Sequence, residues 1–170
     1  VMLVAIDFGI KELKLPDQQL IITAVIIQIV AIIGALGMSK LSSRFGNFNI
    51  LIFTVLLWIG VCISGYFITT ETHFYIIASV VGLVMGGIQS LSRSTYSKLM
   101  PETKDTASFF SFYDVTEKLA IVIGLFTFGF IEGISSIRNS ILSLVIFFVI
   151  GFVMLLSTVM KEKSLQQKSN

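Results

Sequence analysis

Residues 20–39 read LIITAVIIQIVAIIGALGMS, a stretch of twenty residues without a charged side chain. The hydrocarbon core of a bilayer is about 30 Å thick, and an α-helix of about 20 residues crosses it. Because no water is present there to bind backbone N–H and C=O groups, a spanning segment pairs them internally as a helix. We therefore predict a transmembrane helix over residues 20–39.

Further stretches along the chain have the same length and apolar character, with most charged residues between them. Strands of a membrane barrel would alternate apolar and polar residues over about ten positions, and these stretches do not alternate. We predict an all-α, polytopic membrane helical bundle. Residues 1–10 are apolar but too short to span, and we expect them to be the end of a truncated helix. The other predicted spans are about residues 50–69, 74–93, 108–131 and 141–160. A transmembrane half-domain then covers residues 1–160, and residues 161–170 form a tail.

Composition is typical of a membrane protein. Hydrophobic residues make up 55% of the chain and charged residues 13%, and the mean hydropathy is +0.93. A net charge of +2 without a basic cluster gives no reason to expect nucleic acid as a partner. Cys62 is the single cysteine, which excludes an intrachain disulfide and a cysteine zinc site. The chain opens at Val1 inside an apolar run, and we expect it to be a piece of a longer protein.

The distribution of Lys and Arg predicts orientation, because cytoplasmic loops retain an excess of these residues. If successive connections alternate sides, one side carries eight basic residues and the other carries Lys11, Lys14 and Arg138. The richer side, which includes the C-terminus, is predicted to be cytoplasmic. Its eight basic residues are Lys40, Arg44, Arg93, Lys98, Lys104, Lys161, Lys163 and Lys168.

Three charged residues lie inside the predicted span 108–131, where each costs about 2.5–3.5 kcal/mol at the helix centre. Asp114 and Lys118 are four residues apart, so they share a helix face and can pair. Glu117 points elsewhere, and Arg93 on the neighbouring antiparallel helix is the candidate partner of Asp114 or Glu117. Two interpretations stay open. These charges form a structural salt bridge at a helix end, or they belong to a gate or solute site.

Other polar residues in apolar runs have two interpretations each. Asp7 is a candidate proton carrier, because burial raises the pKa of a membrane carboxylate, and it is also placed to pair with Lys11 near the loop. Gln28 and Gln89 can hydrogen-bond a solute or a neighbouring helix. Glycines four apart, such as Gly82 with Gly86, predict close helix contacts. Similar contacts are expected at Gly129 with Gly133 and at Gly60 with Ser64.

Sequence signatures of common enzymes are absent. The chain has no HExxH, GxSxG or GxxxxGK[ST] motif, and its one histidine, His73, lies in a short predicted loop. We therefore predict a protein that is not an enzyme and that has no metal site and no cofactor.

Residues 39–47, SKLSSRFGN, resemble the cytoplasmic motif of the major facilitator superfamily, Gly-x-x-x-Asp-Arg-x-Gly-Arg-Arg. Arg44 and Gly46 match that motif. Ser43 stands in place of the aspartate and Asn47 in place of the arginine, so the copy is degenerate. The motif loop with Lys40, Arg44 and Gly46 is expected to belong to the inner gate.

Residues 86–94, 99–101 and 109–114 (GGIQSLSRS, LMP and FFSFYD), together with Lys118, are similar to the vacuole-effluxer-like branch of that superfamily. This branch is related to the autophagy-associated amino-acid exporters of fungal vacuoles. The resemblance implies the C-terminal six-helix half of a major facilitator fold, whose missing N-terminal six-helix half is a partner. It also implies a solute site between the two halves near the bilayer midplane.

The resemblance implies secondary active transport of a small solute, such as an amino acid, by alternating access. Membrane lipid and the solute are then the other partners, and a bacterial inner membrane is the expected location. The alternative is a non-transporting membrane scaffold or assembly subunit. Candidate substrate and gating residues are Gln28, Gln89, Arg93, Asp114, Glu117 and Lys118.

Overall fold

A computed structural model of the chain describes residues 2–102 and 105–169, with side chains up to residue 161. Lys104 and the side chains of Lys163 and Lys168, which contribute to the predicted orientation, lie outside the described residues. Within the described ranges the chain folds as helices, which confirms the all-α bundle. The helices are α1 (Met2–Lys11), α2 (Asp17–Phe45), α3 (Asn47–Tyr66), α4 (Glu71–Leu99), α5 (Thr106–Ile134) and α6 (Ile137–Ser169).

Four helices of the described part are long and apolar enough to cross a membrane: α2, α3, α4 and the Ile137–Lys161 portion of α6. Helix α5 has the same 29-residue length as α2 and α4 but falls outside this set. It carries Asp114, Glu117 and Lys118 in its middle turns. Its crossing of the membrane therefore stays a prediction.

Helix ends follow local backbone chemistry rather than the apolar pattern alone. Helix α3 ends at Tyr66, three residues before the predicted boundary, because the Phe67 N–H bonds back to the Ser64 carbonyl at 3.0 Å. Helix α2 ends at Phe45 because Gly46 has a φ of 86°, a left-handed conformation that favours glycine. Helix α6 continues to Ser169, so the tail is helical in its described part.

Helices α2 and α4 cross with their backbones in contact. A Cβ atom added to Gly82 would lie 2.5 Å from the Ile27 carbonyl oxygen, and one added to Gly86 would overlap the Ala31 carbonyl. Such closeness gains dispersion contacts in a membrane, where lipid offers no hydrophobic drive for helix association. The predicted contact through Gly82 and Gly86 is confirmed.

The other predicted glycine contacts are wrong. Nothing lies within 4 Å of a Cβ atom added to Gly60, Gly129 or Gly133. Gly60 on α3 and the two α5 glycines face open space in this half, because α3 packs against α4 and α6 through large side chains instead. Trp58 of α3 stacks on Phe148 of α6 with ring centroids 5.3 Å apart.

The bundle has two ends with different polar contacts. We call the end with the α2–α3 and α4–α5 connections the basic end, and the end with the other three connections the opposite end. At the opposite end, Arg138 donates to the Glu12 carboxylate at 2.8 Å and to the Tyr66 and Ile68 carbonyls at 2.6 and 2.7 Å. Its guanidinium also lies 5.6 Å from the Phe8 ring centroid. One side chain therefore joins the connections before α2, after α3 and before α6.

Replacing Gly86 with alanine is expected to destabilise the full-length protein. The new methyl group meets the Ala31 carbonyl, and overpacking of this kind costs about 1–3 kcal/mol. The matched control is Gly124→Ala on α5, where nothing lies within 4 Å and helix propensity favours alanine. Thermal unfolding in detergent should show a lower midpoint for Gly86→Ala and an equal or higher midpoint for Gly124→Ala. Equal midpoints for the two variants would contradict the backbone contact.

Removing the Arg138 guanidinium is expected to loosen the opposite end. Arg138→Met leaves a partly buried carboxylate and two carbonyl oxygens without their donor, which costs about 2–3 kcal/mol. The matched control is Arg44→Met, because the Arg44 side chain is exposed at the basic end. The thermal midpoint should fall for Arg138→Met and stay near wild type for Arg44→Met. A wild-type midpoint for Arg138→Met would mean that this contact does not hold the connections.

Candidate functional site

Helices α4 and α5 are joined at the basic end by an ion pair. Arg93 Nη2 lies 3.5 Å from Asp114 Oδ1, which confirms the predicted approach of Arg93 to this carboxylate. Both side chains are about half exposed, at 57% and 48%. Exposed pairs contribute only about 0–1 kcal/mol to stability, so this pair can open at low cost.

Aromatic side chains surround this ion pair. The Arg93 guanidinium lies 5.5 Å from the Phe110 ring centroid, and the Tyr96 hydroxyl donates to the Phe109 carbonyl at 2.9 Å. The Tyr96 ring is tilted against Tyr113, with centroids 5.0 Å apart. Sequence reasoning used the run FFSFY only for its family resemblance and missed this contact. The available signal was the run of aromatic residues at the start of α5, which follows the Tyr96 and Arg93 of α4 in the chain.

The other candidate residues on α4 and α5 do not join the ion pair. Lys118 is exposed and forms no ion pair within 4.0 Å among the described residues, so its predicted pairing with Asp114 is wrong. Asp114 turns toward Arg93 instead. Glu117 is partly buried on another face of α5, and Gln89 is exposed on α4 one turn before Arg93. The predicted charged network of four residues is therefore one ion pair, Arg93 with Asp114, and two separate side chains, Glu117 and Lys118.

The motif loop at the basic end is held by Asn47. Its Oδ1 accepts from the Lys98 ammonium at 2.9 Å, and its Nδ2 donates to the Ser94 and Thr95 hydroxyls at 3.1 and 3.3 Å. The start of α3 is thereby fixed to the end of α4. Sequence reasoning noted Asn47 only as a departure from the motif, and the neighbouring Ser-Thr pair of α4 gave no signal of its own.

The remaining motif residues lie outside this contact. Lys40 and Arg44 are exposed on the last turns of α2, and the Arg44 guanidinium lies 5.6 Å from the Phe45 ring centroid. Gly46 provides the turn into α3. Gln28 is exposed on α2, and its side chain forms no hydrogen bond with the described residues.

Asp7 lies at the opposite end and is paired. Lys11 Nζ donates to Asp7 Oδ2 at 2.9 Å and also to Glu132 of α5. The contact with Glu132 and then that with Asp7 raise the pKa of Lys11 above its usual value, so this ammonium stays charged at neutral pH. Of the two interpretations of Asp7, the structure supports the loop-side ion pair.

A cavity of about 320 Å³ lies between α1 and α5 beside this pair. Asp7 and Glu132 are its polar residues, and the rest of the lining is apolar, including Leu3, Ile10 and Phe128. Lys11 contacts both carboxylates, but its single positive charge neutralises only one of them, so the three side chains together carry a net negative charge beside the cavity. No group of three His, Cys, Asp or Glu side chains that could hold a metal ion occurs within the described ranges.

Comparison with known proteins places these helices in a family. A family model described as vacuole effluxer Atg22 like matches residues 1–169. An uncharacterized MFS-type transporter, YxiO, from Bacillus subtilis (strain 168) is 34% identical over 148 residues, covering 85% of this chain and 34% of that protein. No solved structure matches the chain.

Fungal relatives share a similar portion of their length. Autophagy-related protein 22 from Eremothecium gossypii is 30% identical over 158 residues, which is 85% of this chain and 31% of that protein. The counterpart from Kluyveromyces lactis is 29% identical over 160 residues, which is 86% of this chain and 32% of that protein. The chain spans about a third of the length of the curated relatives it matches. With its apolar helices it is an integral, multi-pass membrane protein, and it belongs to the vacuole effluxer Atg22-like family.

Proposed function

We propose that the full-length protein is a secondary transporter that moves amino acids across a membrane by alternating access. The observation that carries this proposal is the half-exposed Arg93–Asp114 pair, which joins α4 and α5 at one end within a family of effluxers and MFS-type transporters. A transporter needs contacts that close one end and release it again, and an exposed ion pair has the low energy that this requires.

The proposed arrangement assigns the basic end to the cytoplasm, following the excess of Lys and Arg there. In a bacterial cell the C-terminal end of α6 then lies on the cytoplasmic side of the inner membrane. The solute site then lies between this half and the missing N-terminal half, near the middle of the bilayer. The opposite end, held by Arg138 and by Lys11, moves as one unit.

The proposed function predicts uptake by the full-length protein and none by this segment alone. In proteoliposomes the full-length protein should exchange labelled amino acids from a panel with saturable kinetics. The segment comprising residues 1–170 should show no saturable exchange, because one wall of the solute site is absent. Its control is empty liposomes. If the full-length protein exchanges no amino acid, the scaffold alternative replaces the transport proposal. Saturable exchange by the segment would mean that two copies of it form the solute site as a homodimer, without the N-terminal half.

Proton coupling is proposed to use a carboxylate within the described helices. Asp7 is paired with Lys11 and Asp114 with Arg93, whereas Glu117 forms no ion pair in the described part. Of these three carboxylates, Glu117 is therefore the one that no neighbouring cation neutralises in the described part, and it lies near the middle of a 29-residue helix.

We expect Glu117→Gln to abolish accumulation driven by a pH difference while solute exchange continues. Asp7→Asn is the matched control, since it removes a carboxylate that is paired with Lys11 at the opposite end, and it should retain pH-driven accumulation. Measurement of labelled amino-acid uptake with and without a pH gradient separates the two processes. If both variants accumulate solute against its gradient, the coupling site lies in the missing half.

A further inference from the structure

Asp114 has two cations within reach. Its Oδ1 lies 3.5 Å from the Arg93 guanidinium of α4. Lys118 follows it by four residues on α5, and both side chains line the same concavity of about 300 Å³ on that helix. Residues four apart on a helix are neighbours, and an acid that precedes a lysine is the favourable order. Asp114 therefore has a second possible partner on its own helix, with which it forms no ion pair in this structure.

Asp114 is also the one carboxylate that Lys118 can reach along α5. The residues three and four positions from Lys118 are Asp114, Val115, Ile121 and Val122, and the last three are aliphatic. Among the described residues Lys118 forms no ion pair. An ammonium without a partner in a predicted span is unfavourable, because lipid solvates it poorly. Transfer of Asp114 from Arg93 to Lys118 would supply that partner.

Arg93 loses little when Asp114 leaves it. The Arg93 side chain is more than half exposed and lies within the last two turns of α4, which ends at Leu99. At such a helix end water and lipid headgroups can solvate a guanidinium, and an exposed ion pair is weak. The two arrangements, Asp114 with Arg93 and Asp114 with Lys118, are therefore close in free energy.

Helix α5 is held differently at its two ends. Its extended packing in the described part is with α6, and its single buried residue, Phe128, lies toward the opposite end. There one cation contacts two carboxylates at once, since Lys11 of α1 binds both Asp7 and Glu132. At the basic end two cations compete for one carboxylate. Loss of one ion pair can therefore free the basic end of α5 while the opposite end stays joined.

We propose that Asp114 exchanges between Arg93 and Lys118, and that this exchange releases α5 from α4 at the basic end. With Asp114 on Arg93, an ion pair joins the two helices. With Asp114 on Lys118, the ion pair lies within α5 and Arg93 turns to water, so that the Tyr96 hydroxyl and the aromatic rings alone oppose separation. The exchange does not depend on the proposed function, because it concerns the positions of two helices and needs no solute.

Spin-label distances in the full-length protein test the exchange without a transport assay. In a background without other cysteines, Ser97→Cys on α4 and Ser111→Cys on α5 carry the labels, since both positions are exposed near the basic end. Double electron–electron resonance then separates a short distance, for joined helices, from a longer one, for released helices. Arg93→Met should raise the ratio of the long to the short population, because Asp114 is left with Lys118.

Removal of the second cation should have the opposite effect. Lys118→Met, made in the wild type and in Arg93→Met, should lower the ratio about twofold to fivefold, as expected for loss of an exposed ion pair. The long population is larger in Arg93→Met, so the decrease is measurable there even if the wild type is mostly joined. Lys118→Arg is the matched control and should keep the ratio, because the cation is retained. An unchanged ratio after Lys118→Met in both backgrounds would overturn the proposal.

A second pair of labels locates the movement. Ile10→Cys on α1 and Ile134→Cys on α5 lie at the opposite end, where both side chains are exposed. Their distance should be the same in wild type, Arg93→Met and Lys118→Met, because the ion pairs of that end are unchanged. Equal displacement at both ends would mean that α5 shifts as a whole, and it would contradict release at the basic end alone.

Discussion

The arrangement of this half depends on the backbone contact between α2 and α4. Gly34, Gly82 and Gly86 remove the side chains that would hold these two helices apart, and a Cβ atom added at any of the three would overlap a carbonyl oxygen of the facing helix. In lipid, where apolar side chains gain little by leaving the solvent, this closeness supplies the attraction. Helix α1 then packs on α2, α3 on α4, α6 on α3 and α5 on α6.

Polar contacts complete the two ends in different ways. At the opposite end Arg138 satisfies a carboxylate and two carbonyl oxygens that the ends of α1 and α3 leave without donors. At the basic end the neutral amide of Asn47 joins α3 to α4, while an exposed ion pair, aromatic rings and one hydrogen bond from the Tyr96 hydroxyl join α4 to α5. Helix α5 is thus attached less firmly at the basic end than α3 is.

The fold could be predicted from sequence because one constraint dominates it. Twenty apolar residues without charge have few structures available in a membrane, so helix existence and order followed from residues 20–39 and their counterparts. Gly82 and Gly86 were predicted contacts because four-residue spacing aligns them on one face. Gly129 and Gly133 have the same spacing and touch nothing in this half, since the pattern does not say which face meets a partner.

The candidate site was only partly predictable, because a sequence pattern does not say which side chain on a neighbouring helix a residue meets. The pair of Arg93 with Asp114 was predicted because an unpaired charge in a membrane is unfavourable and because consecutive helices bring these two residues to the same end. Lys118 was expected to pair with Asp114 because i, i+4 spacing permits it, but the Arg93 guanidinium of α4 contacts that carboxylate instead. Asn47 and Arg138 bind hydroxyl, backbone and carboxylate oxygens that are 47 to 126 residues away in sequence, which no local pattern encodes.

The sparse burial of α5 has a consequence for how the protein is made. Phe128 is the single buried residue of this helix, and three charged side chains occupy its middle turns. Such a segment gains little by entering lipid alone, whereas the following α6 is strongly apolar and enters readily. If α5 spans the membrane as predicted, we expect it to depend on its neighbours during synthesis: α6 favours entry of the pair into the bilayer, and Arg93 of α4 pairs with Asp114. Membrane integration of this half is then cooperative between its last helices rather than sequential from the first.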